Sequence, residues 1–99
     1  MKDAFISKIG VYGQIHYRYL KETKPSSVNV MLMKGTLRQY LEEVNADAEE
    51  RLARLETELA KNESVTEALK RQDQMAWVQR KNNIRARAME IVQREVIYV

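Results

Sequence analysis

Apolar residues recur at helical spacing along almost the whole chain. Tyr12, Ile15, Tyr19 and Leu20 fall at i, i+3, i+7 and i+8, with Gln14, Arg18 and Lys21 on the other side, which predicts a first helix from Val11 to about Thr23. Pro25 ends it, because the residue before proline is pushed out of the helical region while proline itself suits a first turn. A short second helix, about Ser26 to Lys34, carries Val28, Val30, Met31, Leu32 and Met33, and Gly35 closes it as a left-handed cap. Thr36 with Gln39 has the form of a capping box, and Leu37, Leu41, Val44, Ala48, Leu52, Leu55 and Leu59 then mark one face of a long helix reaching about Lys61. Ser64 with Glu67 repeats that form and opens a fourth helix whose spine is Leu69, Ala76, Trp77, Ile84, Ala88 and Ile91, with Tyr98 near its end. At 1.5 Å per residue the two long helices measure about 40 and about 50 Å. The expectation is one all-α domain over residues 1–99: a lead-in at 1–10, two short helices at 11–34 and a long antiparallel hairpin at 36–96. Phe5, Ile6 and Ile9 suit a helical turn, a strand or a mobile lead-in equally. Val96 to Val99, all β-branched or aromatic, can leave the helix and dock elsewhere.

Charge sharpens this hairpin. Glu42, Glu49, Glu56 and Glu63 recur every seven residues, and Arg80, Arg87 and Arg94 do the same in the opposite sign. Reflected through a turn at Asn62–Thr66, residues whose numbers total 129 face each other, which matches Glu49 with Arg80, Glu42 with Arg87 and Leu52 with Trp77. Residues 1–35 carry six Lys/Arg against two acids, residues 36–63 four against eight, and residues 64–99 seven against four. Internal neutralisation of the acidic helix by the basic one is the expected use of these blocks. So long a hairpin has more apolar face than two helices cover mutually, so the short helices and a second copy of the chain are expected to cover the rest, making a homodimer.

Composition then removes classes of function. No uninterrupted apolar run approaches the roughly 20 residues of a bilayer span, and no N-terminal segment has signal-peptide form, so a cytoplasmic address is expected. The absence of cysteine excludes disulfides, zinc ribbons and thiol nucleophiles. His16 is the single histidine, set between Tyr12 and Tyr19 at helical spacing, and is expected as a half-exposed residue that packs or caps rather than a metal ligand. Gly10, Gly13 and Gly35 lack the spacing of a phosphate loop. Glu42/Glu43 and Glu49/Glu50 sit on a regular helix and read as solvated or salt-bridged. The expectation is a non-catalytic protein with no cofactor and no metal site.

Two groups of cations remain after the expected pairing. Arg18, Lys21 and Lys24 interleave with tyrosines near the end of the first helix, with Tyr17 expected to be exposed among them as a partner contact, whereas Tyr12 and Tyr19 join the core stripe. On the fourth helix Arg71, Lys81 and Arg85 are left over, and Arg71, Val78 and Arg85 share a heptad stripe away from the spine. These six are the candidate phosphate contacts; a plainly solvated face is the alternative. The run Gln72 to Asn83 is unusually polar for mid-helix, and its amides cost helix propensity. Asn83 is expected near the buried edge, and Asp73, opposite Glu56 in the 129 register, is a candidate partner contact. A polar hairpin core with satisfied hydrogen bonds is the competing account of that run.

The run Val65-Thr66-Glu67-Ala68-Leu69-Lys70, followed by Asp73-Gln74-Met75-Ala76-Trp77-Val78, Asn82-Asn83-Ile84-Arg85 and Glu90-Ile91-Val92, resembles the TnpV family of small transposon-encoded proteins. Tyr12-Gly13, Tyr19-Leu20-Lys21-Glu22, Pro25, Gly35-Thr36-Leu37 and Ala48 through Leu52 fit the same pattern. The likeness covers about residues 11–99 and is most specific from Asp73 to Ile84, while residues 1–10 and Ser26 to Met33 depart from it. It implies a protein of bacterial mobile elements, with no assigned activity or catalytic residues. Joined to the charge pattern, it gives the functional expectation: a non-enzymatic accessory protein that binds nucleic acid or a nucleoprotein complex through surplus basic faces. The rival expectation is a protein-binding factor or inhibitor acting on a recombinase, a host nuclease or a CRISPR effector.

Overall fold

The structure, a computed structural model, describes residues 8–99. The chain forms α1 (Val11–Thr23), α2 (Pro25–Lys34), α3 (Leu37–Asn62), α4 (Glu67–Gln72) and α5 (Gln74–Val92), and α5 runs on into a π-helical turn at Gln93–Ile97. The fold is all-α, as the spacing predicts, and the molecule is long and thin, about 56 × 22 × 17 Å. The undecided lead-in lies mostly outside the described residues. Of its last three, Ile9 is buried and Gly10 stands at the N-terminal cap of α1.

The core is a strip along α3 rather than a ball. At one end Ile9, Tyr17, Leu20, Val28, Leu37 and Leu41 form a cluster that joins α1 and α2 to the start of α3. Beyond it, Ala48 and Leu52 pack with Ala88, Val92, Val96 and Ile97 of α5 and the π-turn. Fully burying a side chain of this kind is worth about 1.5–3 kcal/mol, so this proximal body holds most of the stabilising contact. Tyr12 and Ile15 of α1 pack against the second cluster, so a short helix covers part of the hairpin's apolar face as expected, and the chain's end covers more of it.

Close approach of α1 to α3 depends on Gly13 and Asn45. A Cβ on Gly13 would stand 2.8 Å from the Leu41 carbonyl oxygen, so only glycine lets the two backbones meet there. Gly10 offers no side chain to cap α1. Asn45 on α3 replaces it: its Oδ1 accepts the Tyr12 and Gly13 N–H groups at 3.0 and 3.1 Å, satisfying donors that a helix start leaves unpaired.

Both α2 and α3 end in Schellman motifs. After α2, Gly35 takes φ 72° and the Thr36 N–H bonds the Met31 carbonyl at 2.9 Å, the left-handed cap predicted for that glycine. After α3, the Val65 N–H bonds the Ala60 carbonyl at 2.8 Å, and the left-handed position is filled by Ser64 at φ 58°. Neither predicted capping box forms. Thr36 makes no side-chain cap, and Gln39 bonds Glu43 instead. The cap after the turn is Thr66, whose Oγ1 accepts the Leu69 N–H, because Ser64 is committed to the left-handed position. The expected single fourth helix is broken: Asp73 leaves helical geometry at φ −151°, ψ 90° and its Oδ1 accepts the Ala76 N–H, so α4 stops and α5 starts afresh.

That second break resets the register. Arg87 Nη2 bonds the Glu63 carboxylate at 2.7 and 2.8 Å, and Arg51 reaches Glu95 at 2.8 Å. Facing residue numbers therefore total 146 to 150 rather than 129, a slip that amounts to three heptads at Glu63–Arg87, where the two charged stripes meet again with changed partners. Leu52 packs with Ala88, Val92, Val96 and Ile97 rather than Trp77, and neither Glu49–Arg80 nor Glu42–Arg87 forms. The acids of α3 are met mainly from its own turns, by Arg38 to Glu42, Arg51 to Asp47 and Arg54 to Glu50.

Candidate nucleic-acid interface

With Arg87 level with Glu63, just past the end of α3, the earlier part of α5 extends beyond α3 altogether. From Gln74 to Arg87 this is about 20 Å of helix at 1.5 Å per residue, covered on one side by α4. The pair α4 and the first half of α5 forms a finger at one end of the molecule. Lys70 Nζ lies 4.7 Å from the centre of the Trp77 ring and ties the two helices together through a cation–π contact. Val65 and Ile84 are buried near its base, whereas Met75, at 72% exposure, and Val78 face outward.

The finger holds the molecule's surplus charge. Residues 66–85 contain Lys70, Arg71, Arg80, Lys81 and Arg85 against Glu67 and Asp73, a balance of +3 that equals the net charge of the whole chain. Among the described residues, Arg71, Arg80, Lys81 and Arg85 have no ion-pair partner. Arg80, which the 129 register spent on Glu49, is thereby added to the expected set.

The six expected phosphate contacts fall into two separate groups. Arg71, Lys81 and Arg85 lie on the finger, Arg71 on α4 and the other two on α5, so the break at Asp73 interrupts the heptad stripe expected through Arg71, Val78 and Arg85. Arg18, Lys21 and Lys24 lie at the opposite end, where α1 meets α2. There the Lys21 ammonium sits 4.4 Å from the Tyr17 ring centre and Lys24 Nζ reaches the Val99 carbonyl at 3.5 Å. Arg18 borders a groove with Ile15, Tyr19, Glu22 and Tyr98. Tyr17, expected to be exposed, is 5% exposed and belongs to the first core cluster, while Tyr12 and Tyr19 are only half-buried: the true inner face of α1 is rotated toward Gly13, Tyr17 and Leu20. Asp73, expected as a partner contact, serves as the cap of α5.

The amides give the clearest departure. Gln72, Gln74, Gln79, Asn82 and Asn83 are all exposed, Asn83 included, so the polar run is not a hydrogen-bonded hairpin core. Its polarity was legible, but only the slipped register shows that nothing covers it.

His16 is also placed differently from expectation. It is 1% exposed, with Nδ1 2.6 Å from the Ile97 carbonyl and Nε2 2.8 Å from the Tyr40 hydroxyl. The role is packing, as expected, but in the core. Burial pushes the Tyr40 hydroxyl above its ordinary 10.0. Among the described residues no three His, Asp or Glu side chains converge to hold a metal ion, and no helix is long and apolar enough to cross a membrane.

The family model of the transposon-encoded protein TnpV matches residues 1–97. The chain belongs to the TnpV family. The match starts at residue 1 and so takes in residues 1–10, which looked foreign to the family pattern in the sequence. No curated protein and no solved structure matches the chain. Membership ties this TnpV chain to transposons and leaves the role of the finger to its own chemistry.

Proposed function

We propose that this TnpV protein is a non-enzymatic, cytoplasmic accessory factor of its mobile element that binds nucleic acid through the α4–α5 finger. One observation carries the reading: the finger concentrates a balance of +3 on a projecting helix pair whose arginines have no acidic partner among the described residues. Arg71, Arg80, Lys81 and Arg85 would meet phosphates, each neutralised phosphate releasing condensed counterions. Arg18, Lys21 and Lys24 lie at the far end of the body and are assigned no share in that contact.

Titrating the protein against labelled duplex DNA at two salt concentrations tests this. Affinity is expected to fall steeply with salt, and Arg80→Gln with Arg85→Gln is expected to weaken binding about tenfold or more and to flatten the salt dependence by about two counterions. Absence of binding to DNA and RNA at low salt would refute the reading.

A second reading draws support from the outer face of α3, where Glu43, Glu49 and Glu58 are exposed without an ion-pair partner among the described residues. An acidic helix face can imitate a phosphate backbone and occupy the binding cleft of a recombinase, a host nuclease or a CRISPR effector. Glu43→Gln with Glu49→Gln would then abolish inhibition of such an enzyme while leaving DNA binding by the finger intact. Self-association belongs to the same proposal and would use the exposed Val30, Leu32 and Met33 on α2; a monomer mass in solution would refute it.

A further inference from the structure

The circumference of α5 carries more information than its charge. Only Ile84 is buried between Gln74 and Arg87, and Ala76, Trp77, Lys81 and Arg87 are half-buried, so the inner side of the finger helix is the side that meets α4 and the base. Going round a 3.6-residue helix, the opposite side is occupied by Met75, Gln79, Asn82 and Ala86, at i, i+4, i+7 and i+11, with Asn83 beside them. All five are exposed. Val78 and Arg85 border one edge of this stripe, while Arg80, exposed although only about 40° round the helix from Ile84, lies past Asn83 on the other flank. Glu90, one turn beyond Ala86 on the same side, ends it with the wrong sign for a phosphate.

This pattern differs from a solvated helix face. Exposed helix positions normally favour Lys, Glu and Arg, which support the helix, whereas Gln79, Asn82 and Asn83 place amides there, and asparagine has poor helix propensity. An amide has a use that a lysine lacks: it offers a donor and an acceptor side by side, the complement of N7 and N6 of adenine on the floor of the major groove. Apolar groups such as those of Met75, Val78 and Ala86 suit the thymine methyl. A helix with its side chains is about 10–12 Å across and the groove of B-form DNA about 12 Å wide. The uncovered stretch from Met75 to Ala86 is about three turns, with Arg85 at one edge and the long, exposed side chain of Arg80 on the opposite flank to reach the phosphate walls.

Resting on the reading that the finger binds nucleic acid, we infer that α5 enters the major groove of duplex DNA and reads A·T pairs with Gln79, Asn82 and Asn83, while Arg80 and Arg85 hold the backbones on either side. Double-stranded RNA is excluded as an equal ligand, since its major groove is too deep and narrow to admit a helix.

The test is a selection from random-sequence duplex DNA, followed by salt titrations on the enriched duplex, a G·C-only duplex, a single strand and double-stranded RNA of equal length. The wild-type protein is expected to enrich an A·T-containing site and to bind it roughly tenfold or more above the G·C-only duplex. Gln79→Ala, Asn82→Ala and Asn83→Ala together should erase that preference, bringing affinity for the A·T-containing site down to that for the G·C-only duplex. Alanine raises helix propensity at these exposed positions, so the variant keeps its fold. Arg80→Gln with Arg85→Gln should lower affinity for both duplexes alike. Binding without sequence preference, a preference that survives the triple alanine variant, or equal affinity for single strands or double-stranded RNA overturns the groove assignment and leaves the finger a phosphate binder. Failure to bind any nucleic acid overturns both.

Discussion

Three elements meet on one imidazole. In the neutral ring His16 Nδ1 must donate to Ile97, because a carbonyl oxygen only accepts, and Nε2 is then the acceptor for the Tyr40 hydroxyl. The proton on Tyr40 is thus part of the fold, and burial raises that group above 10.0. A group with a raised pKa in the folded state contributes stability that is fully present below the unfolded value and is lost as pH climbs through the folded one. Urea midpoints should therefore hold steady through neutral pH and drop above about pH 10, and Tyr40→Phe should remove part of that drop. Tyr40→Phe should also cost about 1–3 kcal/mol at pH 7 by leaving Nε2 unpaired in the core. Little of this was legible in the chain, since the partners of His16 come from 24 and 81 residues away. The same holds for Asn45, a polar residue on the inner face of α3 that is explained only by the start of α1, 32 residues earlier. Gly35 is the opposite case. Its left-handed cap needs only its own neighbours, so the residue alone announced it.

At the scale of elements, the same local signals placed α1, α2 and α3 within a residue or two and failed for the last third of the chain. Helical period decides that a segment is a helix and which face is apolar, but a seven-residue charge repeat is indifferent to slips by whole heptads. Glu63 with Arg87 satisfies it as well as Glu49 with Arg80. The turn selects among those registers, and here it comprises a Schellman close at Ser64, a six-residue helix and a second cap at Asp73. Nothing in the apolar spacing marked Asp73 as a break, although an aspartate three residues before Ala76 is a competent cap. Ser64 gives this turn a measurable weakness. A serine in the left-handed region costs about 1–2 kcal/mol relative to glycine, against an entropic gain of about 0.4–1 kcal/mol from not being glycine in the unfolded chain. Ser64→Gly is therefore expected to stabilise the protein by about 0.5–1 kcal/mol, read as a higher urea midpoint at unchanged slope. A lower midpoint would show that the serine side chain has a role of its own.

The whole molecule divides its labour along its length. The proximal body, where α1, α2, the π-turn and most of α3 share a core, provides stability, and the finger beyond it carries the unspent charge and the exposed amides. Both the phosphate contacts and the groove-reading face depend on the three-heptad slip, because in the 129 register Arg80 would be neutralised by Glu49 and the middle of α5 would lie against α3. The chain has no cysteine among its 99 residues, so a spin label can be attached uniquely at each of two introduced cysteines. Dipolar coupling between labels at Glu49→Cys and Arg80→Cys measures the register directly. Glu49 lies level with the chain's C-terminal turn, some seventeen residues along the helix from Arg80, so the labels should stand about 25 Å apart or more. A separation of about 10 Å, the contact distance of neighbouring helices, would return Arg80 to Glu49 and remove the finger from the molecule.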